Sequence, residues 1–323
     1  MRSHRTLPAP ALALACALVA CSSKSKSTGS GAFVAPLTAH ATGKSVFLIV
    51  LENTNWSAVK GSADAPYING TLLAKFAHAE QYFNPPGLHP SEPNYVWLEA
   101  GDNLNIKSNE NPPKNRFGAA DHLTSLLETA GKSWKAYQEG ISGNDCPLEN
   151  TGKYAVRHDP YMFFDDVTDG VDRAGVRCIQ HVRPYDELPA DLAHDTVPDY
   201  GFITPNLCHD GHDACGSSTV RQLDEFLSDV VPLFLASKTF DRGSVLIVTW
   251  DEGSSMGKGK VSDGPIGLMV VAKNAKPGYG NDVHYDHSST LKTTQELLGV
   301  TPLLRHAADA DTQDFADLFT AFP

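Results

Sequence analysis

Two apolar runs, Ser45-Val-Phe-Leu-Ile-Val-Leu51 and Ser244-Val-Leu-Ile-Val-Thr-Trp250, have strand length and lack polar alternation, the pattern of strands buried on both faces. Tyr200-Gly-Phe-Ile-Thr204 and Ile266-Gly-Leu-Met-Val-Val-Ala272 read the same way. Between them, residues 67–77, 122–130, 220–236 and 290–298 carry apolar positions at helical spacing. This alternation predicts an α/β fold: one domain with a mostly parallel central sheet and helices on both faces. Ligands of such sheets bind beyond the carboxyl ends of the strands. The polar clusters fall there: Glu52-Asn53 after the first strand, Asn206 to Asp213 after the Tyr200 strand, and Asp251-Glu252 after the Ser244 strand.

The N-terminus has a different pattern. Arg2 and Arg5 precede an apolar run from Leu7 to Ala20 that ends in Leu18-Val-Ala-Cys21. The run is shorter than the roughly 20 residues needed to cross a bilayer, so residues 1–20 read as a signal peptide with a lipobox and Cys21 as the lipidated cysteine. An ordinary secretory signal cut nearby is the plainer alternative. Residues 21–43, rich in Ser, Lys, Gly and Thr without periodicity, read as a flexible tether, and 44–323 as one catalytic domain with no further linker or repeat. The expected location is the bacterial cell envelope, facing the periplasm or the cell surface, with the membrane met through the lipid anchor.

The chain has 26 basic and 38 acidic residues and a formal charge of −12. That balance argues against nucleic acid as a partner, because backbone phosphate binding needs clustered Lys and Arg. It does not argue against a phosphorylated small molecule, since bound cations can reverse the field inside a cleft. Cys146, Cys178, Cys208 and Cys215 remain in the domain, and in an oxidising compartment their even number suggests two disulfides with three possible pairings. The favoured pairing is Cys146–Cys178 with Cys208–Cys215, the second clamping a short loop around His209 and His212.

Each polar cluster has a bland reading and a chemical one. Glu52-Asn53 and Asp251-Glu252 are each ordinary polar turns taken singly. Together they place acids on two strand ends, where like charges repel unless a cation lies between them. In His89-Pro-Ser-Glu-Pro-Asn-Tyr95, Pro93 suits the first turn of a helix running to Ala100 and sets Ser91 at its start. A serine there is commonly a cap, but backbone N–H groups at that point can also hold a phosphate while the hydroxyl attacks it. Cys208-His-Asp-Gly-His-Asp213 packs two imidazoles and two carboxylates into a short loop, suited to metal binding, proton donation or a phosphate clamp. His284-Tyr-Asp-His287 precedes a helix starting near Ser289 and could supply one more ligand or acid, His287 being the better candidate. His158 is a weaker candidate, and His89, Asn94, Asn206, His209, Asp210, Asp213 and His284 complete the possible site.

Five ordered motifs, Leu-Glu52-Asn53, His89-Pro-Ser91-Glu-Pro-Asn94-Tyr, Asp210-Gly-His212-Asp, Trp250-Asp251-Glu252-Gly and His284-Tyr-Asp-His287-Ser, resemble those of the phosphoesterase family of bacterial acid phosphatases and phospholipases C. The resemblance runs from about Ser45 to Leu298. Its nucleophile segment and Ala65-Pro-Tyr-Ile-Asn69 are most similar to secreted acid phosphatases, including the mycobacterial type acting on phosphatidylinositol 3-phosphate. It implies an alkaline-phosphatase-like fold, Ser91 as nucleophile, and a divalent metal held by Glu52, Asn53, Ser91, Asp251 and Glu252, with His212 and His287 around the phosphate. This chain departs from the mycobacterial pattern in its lipobox, in the cysteines bracketing the histidine loop, and in His209 where relatives tend to carry asparagine.

The expected chemistry is attack by Ser91 on a phosphate monoester, giving a phosphoserine that water hydrolyses, with protonated His212 or His287 binding phosphoryl oxygens or protonating the leaving alcohol. The metal's identity and number stay open. The substrate is a small phosphate ester or a phospholipid headgroup, and the chain is expected to be a monomer. A phospholipase C or other phosphodiesterase would use the same core and is separated by diester turnover. A non-catalytic lipoprotein binding module would bind phosphate esters without turnover.

Overall fold

The computed structural model describes Met1 and residues 40–41, 43–254 and 262–323. The lipobox, Cys21 and most of the expected tether lie outside the described residues. Eight strands form one sheet: β1 (Val46–Leu51), β2 (Ala77–Phe83), β3 (Trp134–Gln138), β4 (Val182–Pro184), β5 (Tyr200–Thr204), β6 (Val245–Trp250), β7 (Leu268–Val271) and β8 (Gly280–Asp286), in the order β4-β3-β5-β1-β6-β7-β2-β8. All neighbouring pairs are parallel except the two made by β7, which runs against β6 and β2.

Helices cover both faces because strand side chains alternate. Leu48 is in register with Phe202, so those two share one face and Phe47 points to the other. Helix α1 (Ser91–Ala100) covers the first face, where Tyr95 meets Phe202 edge to face at 6.2 Å. On this side too lie α2 (Leu123–Thr129) and α4 (His287–Leu298), each packed on α1. On the second face α3 (Thr219–Leu235) brings Phe234 to Phe47 with ring centroids 5.5 Å apart. Gly201 makes that packing possible, since a Cβ there would come within 2.5 Å of the Phe47 ring.

Element bounds differ from the sequence pattern in instructive ways. The helical turns after Tyr67 stop at Lys75, and Ala77 begins a strand. Helix α4 starts at His287 instead of Ser289, because the Asp286 side chain accepts from the amides of Ser288 and Ser289 and caps it. The apolar run at β7 is buried as expected but runs antiparallel. Both disulfides form as favoured, Cys146–Cys178 and Cys208–Cys215. Chain entry is fixed where Ala41 N–H donates to Val197 O at 2.8 Å, at the end of the sheet where β5 begins. Among the described residues no helix is long and apolar enough to cross a membrane.

One buried polar cluster ties α1 to its surroundings. His122, at the start of α2, bonds Glu99 of α1 through Nδ1 at 2.8 Å and Asp166 through Nε2 at 3.1 Å. Burial alone would lower its pKa, but the hydrogen bonds with Asp166 and Glu99 outweigh burial and push it up to about 9. A histidine whose folded pKa is raised adds stability that is complete below its unfolded value, near 6.5, and is lost as pH rises through about 9. The unfolding free energy attributable to this cluster should therefore fall by on the order of 3 kcal/mol between pH 6 and pH 10. Denaturant titrations of wild type and His122→Asn across that range should show the slope only in the wild type; parallel curves would remove the linkage.

Candidate active site

The carboxyl ends of β1 and β6 lie side by side, and the residue following each strand is an acid with no solvent exposure, Glu52 and Asp251. A third buried acid, Asp210, comes from the loop after β5, and its carbonyl accepts the Glu52 N–H at 2.8 Å. Gly211, at φ 93°, lets that loop turn back at once; a Cβ there would meet Leu223 at 2.8 Å. Asn53 also takes a left-handed backbone, φ 45°, which asparagine tolerates better than most residues. In that conformation its N–H donates to Asp251 Oδ1 at 3.1 Å and its Nδ2 to Glu52 Oε2 at 2.9 Å.

Ser91 opens α1 and is buried over this group, its hydroxyl donating to Glu52 Oε2 at 3.3 Å. It also lies against Asp251 and tempers the rise of that carboxyl. One turn on, Tyr95 OH donates to Glu52 Oε1 at 2.7 Å, and the Tyr95 ring stacks on His158 with centroids 5.1 Å apart. His158 Nε2 stands 3.3 Å from Glu52 Oε1, too poorly aligned for a hydrogen bond, and its Nδ1 is 3.4 Å from Asp210 Oδ2.

Burial drives the pKa of Glu52, Asp251 and Asp210 well above the usual carboxylate range, and the neighbouring acids push Glu52 and Asp251 further up. Burial, with Arg157 and His212 nearby, holds His158 far below its ordinary value. Asp251 Oδ2, Asp210 Oδ2 and His158 Nε2 are buried without hydrogen-bond partners. One ligand atom each from Glu52, His158 and Asp210 lies within 4.8 Å of the others. Crowded oxygens, a neutral imidazole and missing positive charge fit a divalent cation, and the mixed O and N donors suit first-row metals.

Glu252, expected as a direct ligand, commits one oxygen to its protein neighbours. Its Oε2 accepts from Asn94 Nδ2 at 2.9 Å and stands 2.9 Å from His89 Nδ1, while His89 Nε2 reaches Asp263 Oδ2 at 2.8 Å. Hydrogen bonds to Asp263 and then Glu252 push the His89 pKa up to about 10, so a charged imidazolium supports Glu252 from behind. Asn94 therefore aligns Glu252 and does not face the acid centre with a donor of its own.

Several of the expected histidines are engaged by partners within the protein. His287 is fully buried, accepts from Tyr82 OH through Nδ1 at 2.9 Å and donates Nε2–H to the Asp251 carbonyl at 2.7 Å. Burial lowers its pKa to about 3, and with both ring nitrogens engaged it steadies the Asp251 backbone. His284 is exposed and stacks on Phe83, lining a separate cleft with Trp97 and His306. His209 turns to Glu139 at 2.8 Å and opens on another cavity, of about 430 Å³, beside the Cys208–Cys215 bridge. Asn206 Oδ1 accepts from the amides of Cys208 and His209 and so builds the loop. Asp213 pairs with Lys153 at 2.8 Å at the surface and takes the His212 Nδ1–H at 2.9 Å. The start of α1 also offers fewer donors than a generic helix: Glu92 N–H is taken by Asn109, and Pro93 has none.

Of the weaker candidates, His158 and Asp210 move to the centre. Tyr95, Asp263 and Arg157 were missed. Tyr95 lay in plain view, one helical turn after Ser91 on the same face, whereas the Asp263 contact depends on a long-range fold-back that no local pattern carries.

This fold is that of the alkaline phosphatase superfamily. A Vibrio parahaemolyticus member matches with TM-score 0.59 at 13% identity, covering 85% of this chain and 72% of the other. A murine ectonucleotide pyrophosphatase/phosphodiesterase 5 matches with TM-score 0.54 at 12% identity, over 86% of this chain and 100% of the other. The chain belongs to the phosphoesterase family, whose model matches residues 53–301. A Mycobacterium tuberculosis phosphatidylinositol-3-phosphatase is 28% identical over 87% of this chain and 84% of its own length. A probable acid phosphatase of Kluyveromyces lactis is 28% identical over 83% of this chain, which spans only 61% of that protein.

Removing one of three crowded buried acids should relieve repulsion when no cation is present. Asp251→Asn should stabilise the protein in chelator by on the order of 1 kcal/mol or more, and should lose the rise in melting temperature that wild type gains from added Zn²⁺, Mn²⁺ or Ca²⁺. Thermal unfolding with and without each metal measures both effects; a variant destabilised in chelator would mean that Asp251 is satisfied within the protein.

Proposed function

We propose that this protein is an exported acid phosphatase that hydrolyses phosphate monoesters through a phosphoserine on Ser91. The observation that carries the reading is a buried hydroxyl, at the start of a helix, 3.3 Å from a carboxylate in a cluster of three buried acids. Membership of the phosphoesterase family and relatives named acid phosphatase and phosphatidylinositol-3-phosphatase support it.

Glu52, Asp251, Asp210 and His158, with Asn53 and Ser91 alongside, would hold a divalent cation, which when bound lowers the hydroxyl pKa and offsets phosphoryl charge. Ser91 Oγ attacks phosphorus in line with the leaving oxygen, its proton already directed at Glu52 Oε2. The Tyr95 hydroxyl and the Asn53 amide fix the Glu52 carboxylate during this step. His287 and the His89–Glu252 pair hold the β6 end still. His212, with a third of its side chain exposed, has its Nδ1–H taken by Asp213 and its Nε2 accepting from Arg157, so it orders the mouth and the departing alcohol takes its proton from solvent. Water then hydrolyses the phosphoserine. The signal peptide, the lipid on Cys21, the 21–43 tether and a monomeric state remain part of this reading, placing a soluble 44–323 domain at a membrane in the cell envelope.

A chromogenic phosphate monoester should be hydrolysed fastest on the acid side of pH 4 to 9 by the purified chain carrying Cys21→Ser. Ser91→Ala should retain its melting temperature and lose at least about 10³-fold in turnover. Wild-type activity that rose steadily to pH 9 would remove the acid-phosphatase assignment; no turnover with any supplied divalent metal would sink the phosphatase reading.

A further inference from the structure

Six of the described arginines hold carboxylates. A seventh, Arg305, donates to the carbonyls of Ala100 and Asp121. Arg157 differs. Its guanidinium donates to the imidazole of His212, Nη2 to Nε2, at 3.2 Å, and among the described residues it makes no ion pair. It precedes His158 in the chain and is half-buried, and its charge is felt at both Asp210 and His158. A guanidinium beside an acid-rich centre, yet bonded to a neutral acceptor, keeps most of its donors for something else.

His212 explains how that position is kept. Because arginine can only donate, Nε2 of His212 accepts, and the ring proton sits on Nδ1, directed at Asp213 Oδ1 at 2.9 Å. Asp213 is held in turn by Lys153 at 2.8 Å. The His212 ring lies 6.0 Å from the His158 ring, and it is also close enough to influence Glu252. The Lys153–Asp213–His212–Arg157 chain therefore sets a fixed cation at the mouth of the acid centre, with the Cys208–Cys215 bridge closing the loop that carries its middle members.

We propose that Arg157, oriented by His212, recognises the non-bridging phosphoryl oxygens that face the mouth, and so selects phosphate monoesters over diesters. This rests on the phosphatase reading given above. A monoester presents three non-bridging oxygens and up to two negative charges; a diester replaces one of those oxygens with an alkylated one, which carries less charge and brings bulk against the guanidinium. The planar fork of arginine can meet two oxygens at once, which a lysine ammonium cannot reproduce. Arg157 thus supplies at the mouth the anion-binding donors that the first turn of α1 lacks.

The test uses the full chain carrying Cys21→Ser, with divalent metal, and compares wild type, Arg157→Ala and Arg157→Lys on para-nitrophenyl phosphate and bis(para-nitrophenyl) phosphate. Arg157→Ala should lower kcat/KM for the monoester about 10- to 100-fold and for the diester less than about threefold, with Arg157→Lys between. Binding of inorganic phosphate, followed by calorimetry, should weaken about tenfold or more in Arg157→Ala while the melting temperature holds. Equal losses on both esters, or unchanged phosphate affinity, would overturn the assignment. If wild type turned over neither ester, the phosphatase reading would fail, and the phosphate affinities alone would decide the role of Arg157.

Discussion

Everything at the catalytic edge answers to one electrostatic problem: Glu52, Asp210 and Asp251 share a buried space in which no lysine or arginine of the described residues pairs with them. Carboxylates so confined repel one another and lose their hydration, and a fold tolerates this only where something outside the polypeptide is meant to complete it. The surrounding contacts make sense in that light. Tyr95 and Asn53 steer Glu52, the Asn53 amide steers Asp251, and the His212 amide steers Asp210, and Asp251 and Asp210 each keep one buried oxygen without a partner.

Rigidity at this edge is inherited from the sheet. β1 and β6 are paired along their whole lengths and buried on both faces, so Glu52 and Asp251 project from the stiffest part of the molecule. Ser91 comes from a different layer, and its placement depends on α1 being held at both ends. Asn94 and His89 meet Glu252 near the start of the helix, while Glu99 and His122 lock its far end. A reactive group set between a sheet and an independently braced helix keeps its geometry through the small motions of either.

The sequence made the central layer legible wherever burial on both faces left an unbroken apolar run, as in β1, β5 and β6. It hid β2, β3 and β8, where Ala-His-Ala-Glu, Trp-Lys-Ala-Tyr and Gly-Asn-Asp-Val mix polar and apolar residues because these strands lie at or next to the sheet's edges. Candidate site residues were legible when they sat directly after a readable strand, as Glu52, Asn53 and Asp251 do. The roles of the histidines were not. Whether an imidazole is free or spent depends on partners far away in sequence, Tyr82 for His287, Glu139 for His209 and Asp263 for His89. The existence of two disulfides, by contrast, followed from an even cysteine count and a compartment inferred from the N-terminus, and of three possible pairings the favoured one forms.

The hydrogen bond from Ala41 to Val197 fixes where the polypeptide joins the body of the molecule. Parallel strands have a direction, and this junction lies where β5 starts, whereas Ser91 and its acids lie where β1 and β6 finish. Anything fused ahead of Ala41, whether an affinity handle, a bead or a lipid, is thus attached at the rear of the sheet. A bead coupled close to Ala41 would therefore start from the end of the strands away from Ser91 and its acids.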